Sequence, residues 1–402
     1  MKLQCRRALL PGLIAALLAG HAQAADEASM FSLSGFGTLG AVKTSTDDAV
    51  FKLSNQPRGA RTDWSTEVDT RLGVQVTGKF SPMFSATAQV LVGQTGEGNY
   101  RPALEWGFVK AQVAPGLALR AGRMGAPYFA VSDFRHVGYA NLWVRPPSDV
   151  YNQVASFSFF DGADATYQST VGAATLTGTL LAGSASSKVT GTPVKLRNIV
   201  GMNLTAEFDN GIALRFGHMS TRLTVESKDL AGLVATLATT PWASVGQQLS
   251  ADNKKASFSG VGVSYDNGSL VLATEFTKRK TESYVPDTTG WFVSAGYRVG
   301  KFTPYAFVSK VKVDDANVVN TIPAGLPGAA GALKPGVDGL VAGQHCTQDT
   351  QALGVRWDAY RNVAVKGQYE RIKPETVGFF GGGRNLAGAK VNVYSIVVDF
   401  VF

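Results

Sequence analysis

The stretch that decides the fold is the last one, AKVNVYSIVVDFVF, residues 389–402. Taken in steps of two, Tyr394, Ile396, Val398, Phe400 and Phe402 share one parity, and Val393, Ser395, Val397, Asp399 and Val401 share the other. A period of two belongs to a strand with unlike faces. One face is apolar and aromatic throughout, and the other carries the polar groups. A wall between lipid and water asks for that pattern.

Similar runs recur along the chain. They cover residues 29–42, 70–80, 84–93, 104–113, 117–123, 163–171, 174–183, 198–208, 212–223, 256–265, 269–277, 291–299, 302–313, 350–357 and 363–372, with the terminal stretch as the sixteenth. The gaps alternate between short and long. Ser81-Pro82-Met83, Ala114-Pro115-Gly116, Asp209-Asn210-Gly211 and Asp266-Asn267-Gly268 are tight turns, the last two carrying Asn-Gly, which tolerates positive φ. Long polar segments fill the other gaps, including residues 184–197 read as a loop. A sandwich has no reason to keep this rhythm, whereas a barrel crossing a membrane does. The expected fold is therefore all-β, a transmembrane antiparallel barrel of about sixteen strands.

The strand faces agree. Leu353, Val355 and Trp357 oppose Ala352, Gly354, Arg356 and Asp358, and Val363, Val365 and Tyr369 oppose Lys366, Gln368 and Glu370. Charge gathers on one parity and bulk on the other. Residues 104–113 are less clean, since Trp106, Phe108 and Lys110 share a parity.

Composition supports a large folded chain. It has 402 residues, 45% hydrophobic and 17% charged, with 45 glycines suited to many turns. Residues 1–24 read as a secretory signal, with Lys2, Arg6 and Arg7 before an apolar run and Ala22-Gln23-Ala24 as the cleavage site. The barrel domain is then 25–402, and loss of the leader lowers the formal charge of +8 to about +5. No stretch approaches the ~20 apolar residues of a membrane-spanning helix. Cys346 stands alone in the mature chain, so no disulfide framework is expected.

Residues 124–162 form the most informative gap. External loops are usually polar, yet this one carries Tyr128, Phe129, Phe134, Tyr139, Trp143 and Tyr151, with Pro146-Pro147 to stiffen it. Rings need burial, and the barrel interior offers it. This segment is expected to fold inward as a constriction. A subunit contact outside the barrel is the alternative.

With these residues in view, the chain resembles the Gram-negative outer-membrane porins. The resemblance rests on FSLSGFGTLG (31–40), RLGVQV (71–76), LRAGR (119–123), the long segment after the fifth strand, WVRPP (143–147) and the terminal Phe402. It implies a sixteen-stranded homotrimer of the general-porin type, with the third external loop folded inward. Phe402 is implied to be an assembly signal read by the barrel assembly machinery. It also implies basic wall residues facing acidic loop groups. Arg71 and Arg123 match the wall arginines. Strict alternation from Leu117 points Arg120 inward and Arg123 outward unless the strand bulges. Asp133, Asp149 and Asp161 are candidates for the opposing acids, and Arg145 for either side.

The expected function is passive diffusion of small hydrophilic solutes, and the mature net charge with the arginine candidates favours a mild anion preference. Outer-membrane lipid and lipopolysaccharide are the expected surroundings, with no cofactor, metal or nucleic acid. The alternatives are a substrate-specific channel for a sugar or an aromatic or organic acid, and a non-conducting structural or adhesive barrel. An enzyme ranks third. His218 and Ser220 are its only near pairing, and they share the parity of Phe216, which places them toward lipid. Residues 228–238, with Leu230, Leu233, Val234 and Leu237 at helical spacing, read as a short packed helix.

Overall fold

The computed structural model describes residues 29–154, 156–314, 317–382 and 384–402. The leader expected over 1–24 lies outside the described residues. Sixteen antiparallel strands close into a single barrel, each paired with its sequence neighbour, and β1 (Phe31–Thr44) pairs with β16 (Val391–Val401). Closure leaves no edge strand, so every strand has a partner on both sides. At the seam, Phe402 N–H donates to Gly35 O at 2.9 Å and Gly35 N–H donates to Phe402 O at 2.8 Å.

The two parities separate as expected. Leu33, Leu180, Leu204, Val293, Leu353 and Ile396 stand exposed on the outer wall, where they meet lipid. Rings collect toward the short-turn ends of the strands, among them Tyr167, Tyr297, Phe302, Trp357 and Tyr360. Phe302 and Trp357 stack at 6.0 Å. Their position fits an interfacial aromatic belt.

β4 (Ala103–Ala114) and β5 (Leu117–Gly125) resolve the unclean pattern. The register between β3 (Phe84–Gly93) and β4 slips between Gln89 and Val90, which pair with Trp106 and Leu104 and leave Glu105 as the extra residue. A bulge of this kind re-aims the chain by one residue. Glu105 and Trp106 therefore both turn inward, and Phe108 and Lys110 follow on the lumen parity.

The expected polar loop at 184–197 is instead mostly strand. β7 (Ala174–Val189) and β8 (Thr192–Phe208) form one long hairpin closed at Thr190-Gly191. Register slips at Gly183/Ala185 and Arg197/Val200, with Asn198 at φ 52°, break the alternation that the sequence is searched for. Lys188 pairs with Glu97, and Gly191 N–H donates to Gly96 O, which ties the hairpin to the neighbouring loop.

The loop end is built rather than loose. Helix Lys228–Ala238 occupies the expected range. The Ser227 side chain caps it by accepting from Leu230 N–H. Its Leu230 and Leu237 pack with Leu249, Val318, Ile322 and Val337. Val337 belongs to helix Leu333–Ala342, which the glycines and proline of its own sequence conceal.

Candidate pore constriction

The segment after β5 folds into the barrel and lies against the lumen wall from β9 (Ile212–Val225) round to β1. Tyr128 and Phe129 pack edge-on against Phe258 of β10 (Lys254–Asp266), and Trp143 packs against Phe292 of β12 (Thr288–Tyr297). Burying these rings drives the loop inward. Polar ties then fix its position. Trp143 Nε1 donates to Ser294 Oγ at 2.8 Å, and Tyr151 Oη donates to Glu275 at 3.0 Å. Arg215 donates to the carbonyls of Pro127 and Tyr128. Lys366 of β15 (Val363–Pro374), fully buried, reaches the carbonyls of Gly138, Asn141 and Trp143 and pairs with Asp399 at 2.9 Å. Gly138 approaches the wall so closely that a Cβ there would lie 2.0 Å from an Asp399 oxygen.

Arg145 and Asp149 are two of the strongest anchors, and this changes their expected place. Arg145 forks Asp69 at 3.0 and 2.7 Å, also donates to Glu370, and donates to Ser395 Oγ at 2.7 Å. Burial opposes its charge, but Asp69 and Glu370 hold it protonated above the usual arginine range. Asp149 lies in the short helix Ser148–Tyr151 and accepts from Gln348 at 2.6 Å, Ser309 at 2.7 Å and Thr350 at 3.1 Å. Burial pushes its carboxyl up to about 6 against the pull of these donors. Asp149 is sealed between loop and wall, while Arg145, almost as deeply buried, also borders the passage. Such charges tolerate burial only when fully partnered.

Arg123 and Asp161 take the outer face. Arg123 pairs in register with Asp161 of β6 (Phe159–Val171) and with Gly107, forks the Asp161 carboxylate at 2.8 and 2.9 Å, and lies 3.9 Å over the Phe159 ring. Strict alternation holds here, without a bulge in β5. Arg120 points inward, bidentate to Asp164 at 2.6 to 3.1 Å and over the Phe108 ring. Asp133 is exposed on the loop's lumen side.

The passage left beside the loop is lined by β2 (Arg71–Lys79), the loops before β2 and β4, and the inward loop itself. A cavity of about 230 Å³ there brings together Arg71, Arg101, Arg135 and Arg145 with Asp69, Glu105 and His136. The two carboxylates are already engaged. Asp69 is forked by Arg145, and Glu105 sits 3.4 Å from His136. Arg71 Nε has no hydrogen-bond partner in the structure. The passage therefore carries an excess of cationic charge. Sequence reasoning missed Arg101 and gave no pore role to Arg135. The usable signal was local: Asp69 and Arg71 lie two apart, and Arg135 stands beside the conspicuous His136.

The pairing considered for catalysis stands apart from the lumen. His218 lies on the outer parity, its Nδ1 2.8 Å from Ser259 Oγ. Cys346 is free and buried, and burial raises its thiol above the ordinary range.

A closed sixteen-stranded barrel with an apolar outside, a polar passage and one loop packed inside is the architecture of an outer-membrane channel. The family model described as Gram-negative porin matches residues 12–401, and the chain belongs to that family. Its function is accordingly that of a porin-type channel, not of an enzyme. Solved structures share the fold at low identity. The anion-selective porin from Comamonas acidovorans is 12% identical at a TM-score of 0.56, covering 92% of this chain and 99% of its own. OmpF of Salmonella typhi, in complex with daunomycin, is 13% identical at 0.56, covering 92% and 97%. The outer membrane channel DcaP of Acinetobacter baumannii is 11% identical at 0.55, also covering 92% and 97%. No curated protein matches the sequence.

Proposed function

We propose that the channel passes small hydrophilic solutes by diffusion and mildly prefers anions. The supporting observation is the charge balance of the passage: Arg71, Arg101, Arg135 and Arg145 line it against two carboxylates, Asp69 and Glu105, and Asp69 is forked by Arg145. A narrow passage with low-dielectric walls magnifies such an excess. In this reading Arg71 is the principal selectivity residue, Arg120 and Asp133 shape the adjoining lumen, and Arg145 and Asp149 fix the loop that narrows it. Arg123 and Asp161 act on the outer wall instead.

The same reading includes a cleaved leader over 1–24, assembly by the barrel assembly machinery with Phe402 as signal, and contact with lipopolysaccharide. It also includes a homotrimer. One solved OmpT structure of Vibrio cholerae is a trimer form. Here the outer face of β2 to β5 is shallow, with Gly78, Ala86, Ala88, Gly107 and Ala121 lining a groove suited to close approach of a second copy.

Liposome swelling with solutes of graded size tests the diffusion reading. Folded protein should admit small sugars, with a sharp fall as size grows. Equal exclusion of all solutes would overturn it.

A further inference from the structure

The lumen has a second cavity of about 530 Å³ on the opposite side of the inward loop, sharing only Asn152 and Ser156 with the arginine-lined passage. Its walls are unlike those of a water-filled pore. Val194, Leu196 and Ile199 of β8, Met219 and Leu223 of β9 (Ile212–Val225) and Phe258 of β10 point into the barrel as one apolar patch. The Arg197/Val200 bulge, with Asn198 at φ 52°, makes this possible by putting both Leu196 and Ile199 on the inner side. Tyr128, Phe157, Tyr284, Phe379 and Phe380 add rings.

Two cations line this cavity and no Asp or Glu does among the described residues. Arg279 spends its donors on backbone oxygens, with Nη1 to Gln153 O at 2.7 Å and Nη2 to Pro286 O at 3.1 Å. Lys52 Nζ donates to Gln56 O at 2.8 Å. Carbonyls position these charges, and Asp287, close enough to act on Arg279, stands outside the cavity lining. An apolar chamber of this volume with a few fixed cations suits a ligand with a hydrocarbon body and one negative group.

We infer that this vestibule is a binding site for small organic anions with an apolar body, aromatic carboxylates being the type, held before they enter the arginine-lined passage. The inference rests on the channel reading for its route but not for its binding. The apolar patch contributes affinity through ring burial, and Arg279 and Lys52 select the carboxylate over a neutral or cationic analogue.

The test is calorimetric titration of the full chain, folded in detergent, with benzoate, acetate, benzyl alcohol and benzylamine. Chloride conductance is recorded on the same preparation. Benzoate should bind saturably, at least about tenfold tighter than acetate or benzylamine. Leu196→Ser should weaken benzoate about tenfold while leaving chloride conductance in place, and Arg279→Gln or Lys52→Gln should erase the preference over benzyl alcohol. Benzoate binding no tighter than acetate, or unchanged in Leu196→Ser, overturns the site. So does loss of benzoate binding in Arg71→Ala alone, which would put the anion in the passage. Binding without conductance keeps the site and overturns the channel reading instead.

Discussion

Arg145 of the inward loop and Asp69 at the foot of β2 form a bidentate ion pair with 3% and 0% of their side chains exposed. Glu370 and Ser395 complete the ring around the guanidinium, so one loop residue ties β2, β15 and β16 together.

Removal of Arg145 leaves two carboxylates buried and unpaired. Arg145→Ala should destabilise loop docking by about 3–5 kcal/mol. Hydrogen exchange of amides 126–154 should accelerate, and the open-channel current should become larger and noisier. The freed negative charge should also lower anion preference.

Asp149 makes the same docking pH-dependent. Its carboxyl titrates at about 6 in the docked loop, against 3.8 when free. A group raised by folding contributes its full stability below the free value and loses it as pH rises through the docked one. Loop docking should therefore be tightest below about pH 4 and weaken through pH 6, by roughly 3 kcal/mol at most. Exchange rates of the loop amides across that window measure it. Asp149→Asn should flatten the profile.

His136 makes selectivity pH-dependent. Burial holds it below its ordinary 6.5, and Glu105 partly restores it. It is neutral at pH 7 and adds positive charge beside Arg71 and Arg135 on acidification. Anion preference should rise as pH falls below 6.5, and His136→Gln should blunt that rise. The reversal potential recorded between pH 7 and 5 checks it.

The seam predicts an assembly phenotype separate from selectivity. The Phe400 ring lies flat over Gly37, where a Cβ would approach it to 2.3 Å, and the Phe402 ring covers Gly35 in the same way. Gly37→Val should destabilise the closed barrel by about 1–3 kcal/mol through overpacking. Deletion of Phe402 removes its backbone pair with Gly35. Both changes should lower the yield of heat-modifiable folded protein on gels, with reversal potentials unaltered in the fraction that inserts.

Much of the barrel was legible because its rule is local. Tight turns such as Asp266-Asn267-Gly268 and period-two faces such as that of β16 act over a few residues. The errors fall where a bulge resets the period: Glu105 hid the inward turn of Trp106, and Asn198 disguised the long β7–β8 hairpin as a loop. The site was only half legible. The rings at 128–151 announced an inward loop, but which charges remain free depends on partners far along the chain. Arg145 is consumed by Asp69 and Glu370, and Asp149 by Ser309, Gln348 and Thr350. No local pattern reveals that these two are anchors, or that Arg71 and Arg101 are left to line the passage.

The most direct test of the central claim is the zero-current potential of single channels in a potassium chloride gradient. The cationic passage predicts a sign set by chloride, falling toward zero in Arg71→Ala as the local field is lost. A potential set by potassium in the unmodified protein, or a chloride preference untouched by Arg71→Ala, would contradict it.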